Sequence, residues 1–239
     1  HHRSSAASDV YKRQIKASLL ERLFFMKKIS SLLILVFFSV NLFSDIELSF
    51  GLNSKSIWRG LDQNDGNPTI YSEIEYENNG FISNVWVESC CSNGSINANK
   101  EVGLTVGYKY NFKDDLYLSI AYIGTNYPNS KEENYDEIKL EFEIEEFNLK
   151  IFNGLDEMSN YYEISYEHLI KDILLTISAG DFKPYGDISE SNGKNAQFNV
   201  QFKRLDLDFE LFYFYFHPNG NSILRDDGLV IGISKSLNF

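Results

Sequence analysis

The chain has 239 residues and a net charge of −12, with 22 Lys+Arg against 34 Asp+Glu. Residues 1–44 hold seven basic and two acidic side chains, so residues 45–239 carry 15 basic and 32 acidic ones, a net of −17. A polyanion of that kind is repelled by phosphate backbones, which argues against nucleic acid as a partner. Aromatic residues reach 15%, too many for a disordered acidic chain, and two cysteines cannot make a disulfide scaffold.

The first predicted element is a leader. Met26-Lys27-Lys28, followed by the apolar run from Ile29 to Val40, has the basic n-region and short h-region of a secretory signal. Leu42 and Ser44 suit a cleavage site, which places the cut near Ser44/Asp45. The run is too short to favour a membrane anchor, and no cysteine follows the cut to carry a lipid. Residues 1–25 precede the expected start, lack apolar periodicity and read as a non-native upstream segment. The expected organisation is therefore 1–25 upstream segment, 26–44 signal peptide and 45–239 one all-β domain.

From Asp45 onward the dominant signal is period-two alternation. Ile46, Leu48, Phe50 and Leu52 alternate with Glu47, Ser49, Gly51 and Asn53, and Ile138, Leu140, Phe142 and Ile144 alternate with Glu137, Lys139, Glu141 and Glu143. The pattern predicts twelve strands, at roughly 46–58, 68–77, 81–89, 100–111, 116–124, 135–145, 147–154, 160–169, 172–181, 194–203, 206–216 and 227–239. Short connections at Asn78-Asn79-Gly80, Lys113-Asp114-Asp115, Glu145-Glu146, Ile170-Lys171 and Arg204-Leu205 alternate strictly with longer ones near 59–67, 90–99, 125–134, 155–159, 182–193 and 217–226.

That asymmetry is the pattern of an up-and-down β-barrel in the outer membrane of a Gram-negative bacterium, with both termini periplasmic. Strands of about nine to eleven residues match a tilted bilayer span, and closure leaves no edge in lipid. The last strand stops on Phe239, like the C-terminal signal read by the outer-membrane assembly machinery. Aromatics gather at strand ends, as interfacial belts do. Tyr76, Tyr110, Phe112, Phe147 and Phe239 are expected in the periplasmic belt, and Trp58, Tyr127, Tyr135, Tyr162, Tyr213 and Tyr215 in the outer one. A soluble β-sandwich or lipocalin-like barrel would place the apolar face inside instead.

The segment Ser54-Lys-Ser-Ile-Trp58-Arg59-Gly60-Leu-Asp-Gln63, then Asp65-Gly66-Asn-Pro68, then Gly80-Phe81-Ile-Ser-Asn-Val85-Trp86, resembles the opening of the TorF-type (Gcw_chp) porin family. Gly107-Tyr108 falls where that family has its next Gly-Tyr, and the Ser234-Lys235 to Phe239 ending is similar too. Ser56 stands where the family has Tyr, and Ile82 replaces a second Tyr. The resemblance covers about the first third of residues 45–239 and implies an outer-membrane barrel without defining a substrate.

With the Phe239 phase taken as lipid-facing, the inward set holds Glu47, Glu73, Glu75, Glu88, Glu101, Glu137, Glu141, Glu143, Glu163, Glu167, Asp208 and Glu210, against Lys55, Arg59, Lys109, Lys139, Lys150 and Lys203. Such a surplus of carboxylates predicts a cation-preferring lumen, with Glu137, Glu141 and Glu143 its densest row. Arg59-Gly60 is expected to close the first strand at the outer rim, as a fixed charge facing the lumen or as an ion pair tying down the first loop.

Three other patterns carry less. Cys90-Cys91 reads as a loop-tip pair without a catalytic role, because no His lies near it in sequence. His168 and His217 invite comparison with a twelve-stranded outer-membrane phospholipase, but neither sits in a nucleophile motif. Asp62 to Gly66 looks faintly like a calcium loop, with its Gly one residue early and no closing Glu. The sequence therefore predicts a passive channel for small hydrophilic solutes rather than an enzyme, with no cofactor and no metal. Its expected partners are outer-membrane lipid, those solutes and the assembly machinery. The rival is a closed barrel with a structural or surface-binding role.

Overall fold

Period-two alternation becomes a closed barrel of twelve antiparallel strands in a computed structural model of the chain. The structure describes residues 45–93, 96–155, 159–183, 193–218 and 226–239, so the expected leader and upstream segment at 1–44 lie outside the described residues. The barrel strands are β1 (Ile46–Asn53), β2 (Thr69–Asn78), β3 (Phe81–Glu88), β4 (Glu101–Lys113), β5 (Leu116–Asn126) and β6 (Tyr135–Ile144). They continue as β7 (Phe147–Gly154), β8 (Asn160–Ile170), β9 (Ile173–Lys183), β10 (Gly193–Arg204), β11 (Leu207–Pro218) and β12 (Asp226–Asn238). Each strand pairs with its sequence neighbours, and β12 closes on β1 from Glu47↔Asn238 to Asn53↔Gly232.

The sense of the alternation is settled by exposure. Ile70, Ile120, Ile164, Ile177 and Ile231 lie on five different strands, and each is more than half exposed. Apolar surface continuous around a whole wall is untenable in water and natural in lipid. The charged phase accordingly lines the interior, where Glu47↔Glu75, Glu141↔Lys150 and Lys203↔Asp208 meet across neighbouring strands.

One end of the barrel carries the two-residue turns. Asn79 (φ 49) and Gly80 (φ 84) both take left-handed backbone, the geometry of a primed hairpin turn that matches strand twist. Two of the turns, at 171–172 and 205–206, sit one residue later than the alternation suggested. At the seam, Ser49 and Ser236 hydroxyls meet at 2.7 Å and the Phe239 N–H donates to the Ile46 carbonyl at 3.0 Å.

Two corrections concern the opposite, loop-bearing end. The first strand does not run to 58. It stops at Asn53, and Ser54 completes the seam by donating its N–H to the Ile231 carbonyl and accepting from the Ile231 N–H. The chain then turns into the lumen as a small hairpin, Ile57–Trp58 against Leu61–Asp62. The expected outer belt also loses Trp58, Tyr127 and Tyr135. Trp58 leaves with the hairpin, Tyr135 shares the inward phase of Glu137, and Tyr127 is buried against both the Tyr135 ring and the cysteine pair. Tyr162, Tyr213 and Tyr215 stay on the outer face.

A closed ladder without edges should resist detergent until heated. Unboiled and boiled samples are expected to migrate differently on a detergent gel, with strand-type circular dichroism. A monodisperse protein in detergent-free buffer would contradict the fold.

Candidate functional site

The described side chains crowd the loop end of the lumen. Phe214, Phe216 and Val230 on the inner face of β11 and β12 are fully buried, and the 57–62 hairpin lies among such groups. Gln63 N–H to the Ser56 carbonyl (2.8 Å) closes the hairpin, and the Asp62 N–H donates to the Asp226 carboxylate (2.8 Å). Its tip is Arg59 (φ 51) followed by Gly60 (φ 84), a turn that left-handed glycine accommodates and arginine does not favour. A Cβ on Gly60 would also come within 2.6 Å of the Asn195 Cβ.

What holds Arg59 there is a box built by four consecutive strands. Its Nη2 donates to both carboxylate oxygens of Glu137 on β6, each at 2.8 Å, and both side chains are over 90% buried. The guanidinium carbon lies 4.5 Å from the Trp58 ring centroid, 4.6 Å from Phe152 on β7, 4.5 Å from Tyr161 on β8 and 5.5 Å from Phe182 on β9. Left-handed backbone at a non-glycine residue costs about 1–2 kcal/mol, whereas a desolvated cation–π contact alone contributes about 2 kcal/mol. The contacts outweigh the strain. Asn195 adds a hydrogen bond from its amide to the Arg59 carbonyl (2.5 Å), while Arg59 Nη1 is buried without a hydrogen-bond partner among the described residues.

Beside the box, Cys90 and Cys91 form a disulfide. The sequence placed them at a loop tip; the structure buries them against Ala98 and Tyr127. Glu101 anchors this cluster by accepting from Trp86 Nε1 (2.7 Å) and from the Tyr127 hydroxyl (2.9 Å). Burial pushes the Tyr127 phenol far up, so it stays protonated as that donor.

Toward the turn end the two sides of the lumen differ in charge compensation. On β6–β8, Lys139 pairs with Glu141 at 2.8 Å and Lys150 with Glu163 at 3.3 Å, while Asn148 donates to Glu141 (2.7 Å) and Glu143 (3.2 Å). Lys109 lies over the Tyr117 ring and pairs with Glu77 at 3.7 Å. The other side is β11, β12, β1 and β2. There Glu47, Glu73, Glu75 and Glu210 meet neutral donors only: Ser49, Asn84, Asn199 and Gln201. Among the described residues none of these four has a cation within ion-pair reach. The floor between them is small, comprising Ser49, Gly51, Gly232, Ser234 and Ser236, with the Tyr71 ring lying across Gly51.

The expected lumen residues Glu73, Glu75, Glu101, Lys109, Glu137, Lys139, Glu141, Glu143, Glu163, Asp208 and Glu210 all have inner-face register, and Arg59 joins them from the hairpin rather than from the rim of a strand. Of the motif residues, Ser54, Trp58, Arg59, Gly60 and Gln63 build or fasten the hairpin. Gly80 makes a turn, Trp86 points inward, Gly107 packs against the inward Ala121, and Phe81 and Tyr108 face outward. His168 and His217 are outward-facing, stacked on Tyr166 and Tyr215 at opposite barrel ends. In the calcium-like stretch Asn64 is 8% exposed and bonds the Pro68 carbonyl, while Asp65 and Gly66 are exposed, so the stretch is a solvent-facing turn anchored through Asn64. Missed altogether were Phe152, Tyr161, Phe182 and Asn195. Their signal was visible: aromatics interrupting the otherwise polar phase of three successive strands near the same end.

No family model matches the chain, and no curated protein does. Solved structures do. A KdgM porin aligns with a TM-score of 0.58 at 10% identity, over 80% of this chain and 99% of its own. The KdgM porin in complex with disordered oligogalacturonate gives 0.57 at 10% identity over 81% and 99%, and the NanC porin gives 0.52 at 11% identity over 80% and 100%. What the chain shares with these porins is the fold, a closed twelve-stranded antiparallel barrel.

Proposed function

We propose that the barrel is an outer-membrane, porin-like passive channel for small hydrophilic solutes, preferring cations, with its termini on the periplasmic side. The observation that carries this reading is the pairing of a largely apolar exterior with an interior wall on which Glu47, Glu73, Glu75 and Glu210 have, among the described residues, no cation within ion-pair reach. Uncompensated carboxylates in a low-dielectric wall concentrate cations and repel anions. An oligomer of uronic acid such as the one named with the KdgM porin is therefore a poor solute here. Arg59, Glu73, Glu75, Glu101, Lys109, Glu137, Lys139, Glu141, Glu143, Glu163, Asp208 and Glu210 are the pore-lining residues of this reading. The likeness of residues 54–86 to the TorF-type opening agrees with it, since the motif supplies the hairpin of the lumen. Liposomes carrying the refolded barrel should swell in small neutral and cationic solutes faster than in anionic ones of equal size.

A second reading, a closed barrel with a structural or surface-binding role, is favoured by the packing of Phe214, Phe216 and the hairpin at the loop end. Liposomes that fail to swell with a heat-modifiable barrel would select it.

Outer-membrane lipid surrounds the apolar band, and the assembly machinery reads Phe239. Its ring is 54% exposed on the outer face, so burial there contributes about 1–2 kcal/mol, little against a whole barrel. Deleting Phe239 should lower outer-membrane levels severalfold while leaving refolding into detergent intact. Unchanged membrane levels would remove the assembly role.

A further inference from the structure

We infer that the box of Glu137, Phe152, Tyr161 and Phe182 is a recognition site for the guanidinium head of a solute, and that Arg59 occupies it as a tethered competitor. The inference deepens the channel reading by naming a solute class, and rests on that reading only for transit; binding stands apart from it.

The walls of the box belong to the barrel, not to the hairpin. Its four groups come from β6, β7, β8 and β9, and the rings brace one another, Phe152 to Tyr161 at 5.8 Å and Tyr161 to Phe182 at 6.1 Å. The Tyr161 hydroxyl donates to Glu163 (3.0 Å) and accepts from the Asn195 amide (3.0 Å), fixing the ring before any cation arrives. Side-chain-free Gly180 leaves the space across which that ring lies. Three aromatic faces and one carboxylate are the chemistry that selects a flat, weakly hydrated cation over a small inorganic one.

The hairpin also has fastenings other than the guanidinium. Asn195 takes the Arg59 carbonyl, Asp226 takes the Asp62 N–H and Gln63 closes onto Ser56. The occupant fits incompletely, since the buried Nη1 has no acceptor among the described residues. A free guanidinium compound reaching the loop end of the lumen would find the same carboxylate and ring faces, in competition with a side chain that leaves one of its nitrogens unsatisfied.

The test is calorimetric titration of methylguanidinium into detergent-refolded wild type, Arg59→Ala and Arg59→Lys, with tetramethylammonium and potassium as control cations. Arg59→Ala should bind methylguanidinium saturably, with wild type weaker by at least about tenfold because its box is occupied. Arg59→Lys, which keeps a tethered cation, should fall between them. Adding Glu137→Gln to Arg59→Ala should abolish the binding. Absence of saturable binding to an Arg59→Ala barrel that is still heat-modifiable would overturn the inference, as would binding indifferent to Glu137→Gln. A barrel that binds methylguanidinium but passes no current would instead defeat the channel reading and leave the box intact.

Discussion

Replacing Glu137 by alanine should release the lumen hairpin and raise the single-channel conductance severalfold. Arg59 and Glu137 are both over 90% buried and joined by two 2.8 Å hydrogen bonds, so removing the carboxylate strands a desolvated cation. Breaking a buried pair from one side costs about 3–5 kcal/mol, which shifts a docked hairpin toward release by about two to nearly four orders of magnitude. The aromatic faces and the backbone contacts of Asn195 and Asp226 oppose this, but neither supplies the lost negative charge. Glu137→Gln keeps an acceptor and should give a smaller change. Trypsin offers a second readout: the Arg59–Gly60 bond, shielded in wild type, should become a cleavage site in Glu137→Ala. A variant with wild-type conductance and no cleavage there would show that the hairpin is not held by this pair.

Neutralising Glu73, Glu75 and Glu210 to glutamine together should abolish most of the cation preference. Among the described residues these carboxylates accept from the side-chain amides of Asn84, Asn199 and Gln201 and have no ion-pair partner, so their charge is not offset locally. Glu141 is different. It lies 2.8 Å from Lys139, so Glu141→Gln removes a neutral pair's anion and leaves a lysine exposed, a change that also weakens the wall's packing. The row of Glu137, Glu141 and Glu143, the densest in sequence, is thus the better compensated one. The expected result for the triple variant is a reversal potential near zero in a salt gradient in which the wild type stays on the cation side. The difference should shrink in molar salt, where the screening length falls to about 3 Å. An unchanged potential would move the selective region away from this wall.

The barrel was legible because every strand states its two faces in its own residues. Ile138, Leu140, Phe142 and Ile144 against Glu137, Lys139, Glu141 and Glu143 is enough to fix phase, and repeating it twelve times fixes closure. The inward hairpin was not legible from periodicity. Ser54 and Ser56 stand on the apolar phase of β1 and Ile57 on its polar phase, so the alternation fades after Leu52, but nothing local marks that Ser54 ends the seam by pairing with Ile231, far away in sequence. Arg59 is also an uncommon residue for left-handed backbone, so the turn at its position lacks the usual sign. The burial of the cysteine pair was not legible for a similar reason, as it comes from Ala98 farther along the same connection and from Tyr127 beyond β5. The box could have been found. Phe152, Tyr161 and Phe182 lie on the polar phase, and three misplaced aromatics on adjacent strands at one end indicate something inside the barrel to pack against.

The most direct measurement is single-channel recording of the refolded, heat-modifiable wild-type barrel in a planar bilayer under a potassium chloride gradient. The account predicts discrete conductance steps with a reversal potential of cationic sign. A barrel that inserts yet gives no steps, or steps with anionic selectivity, would contradict it.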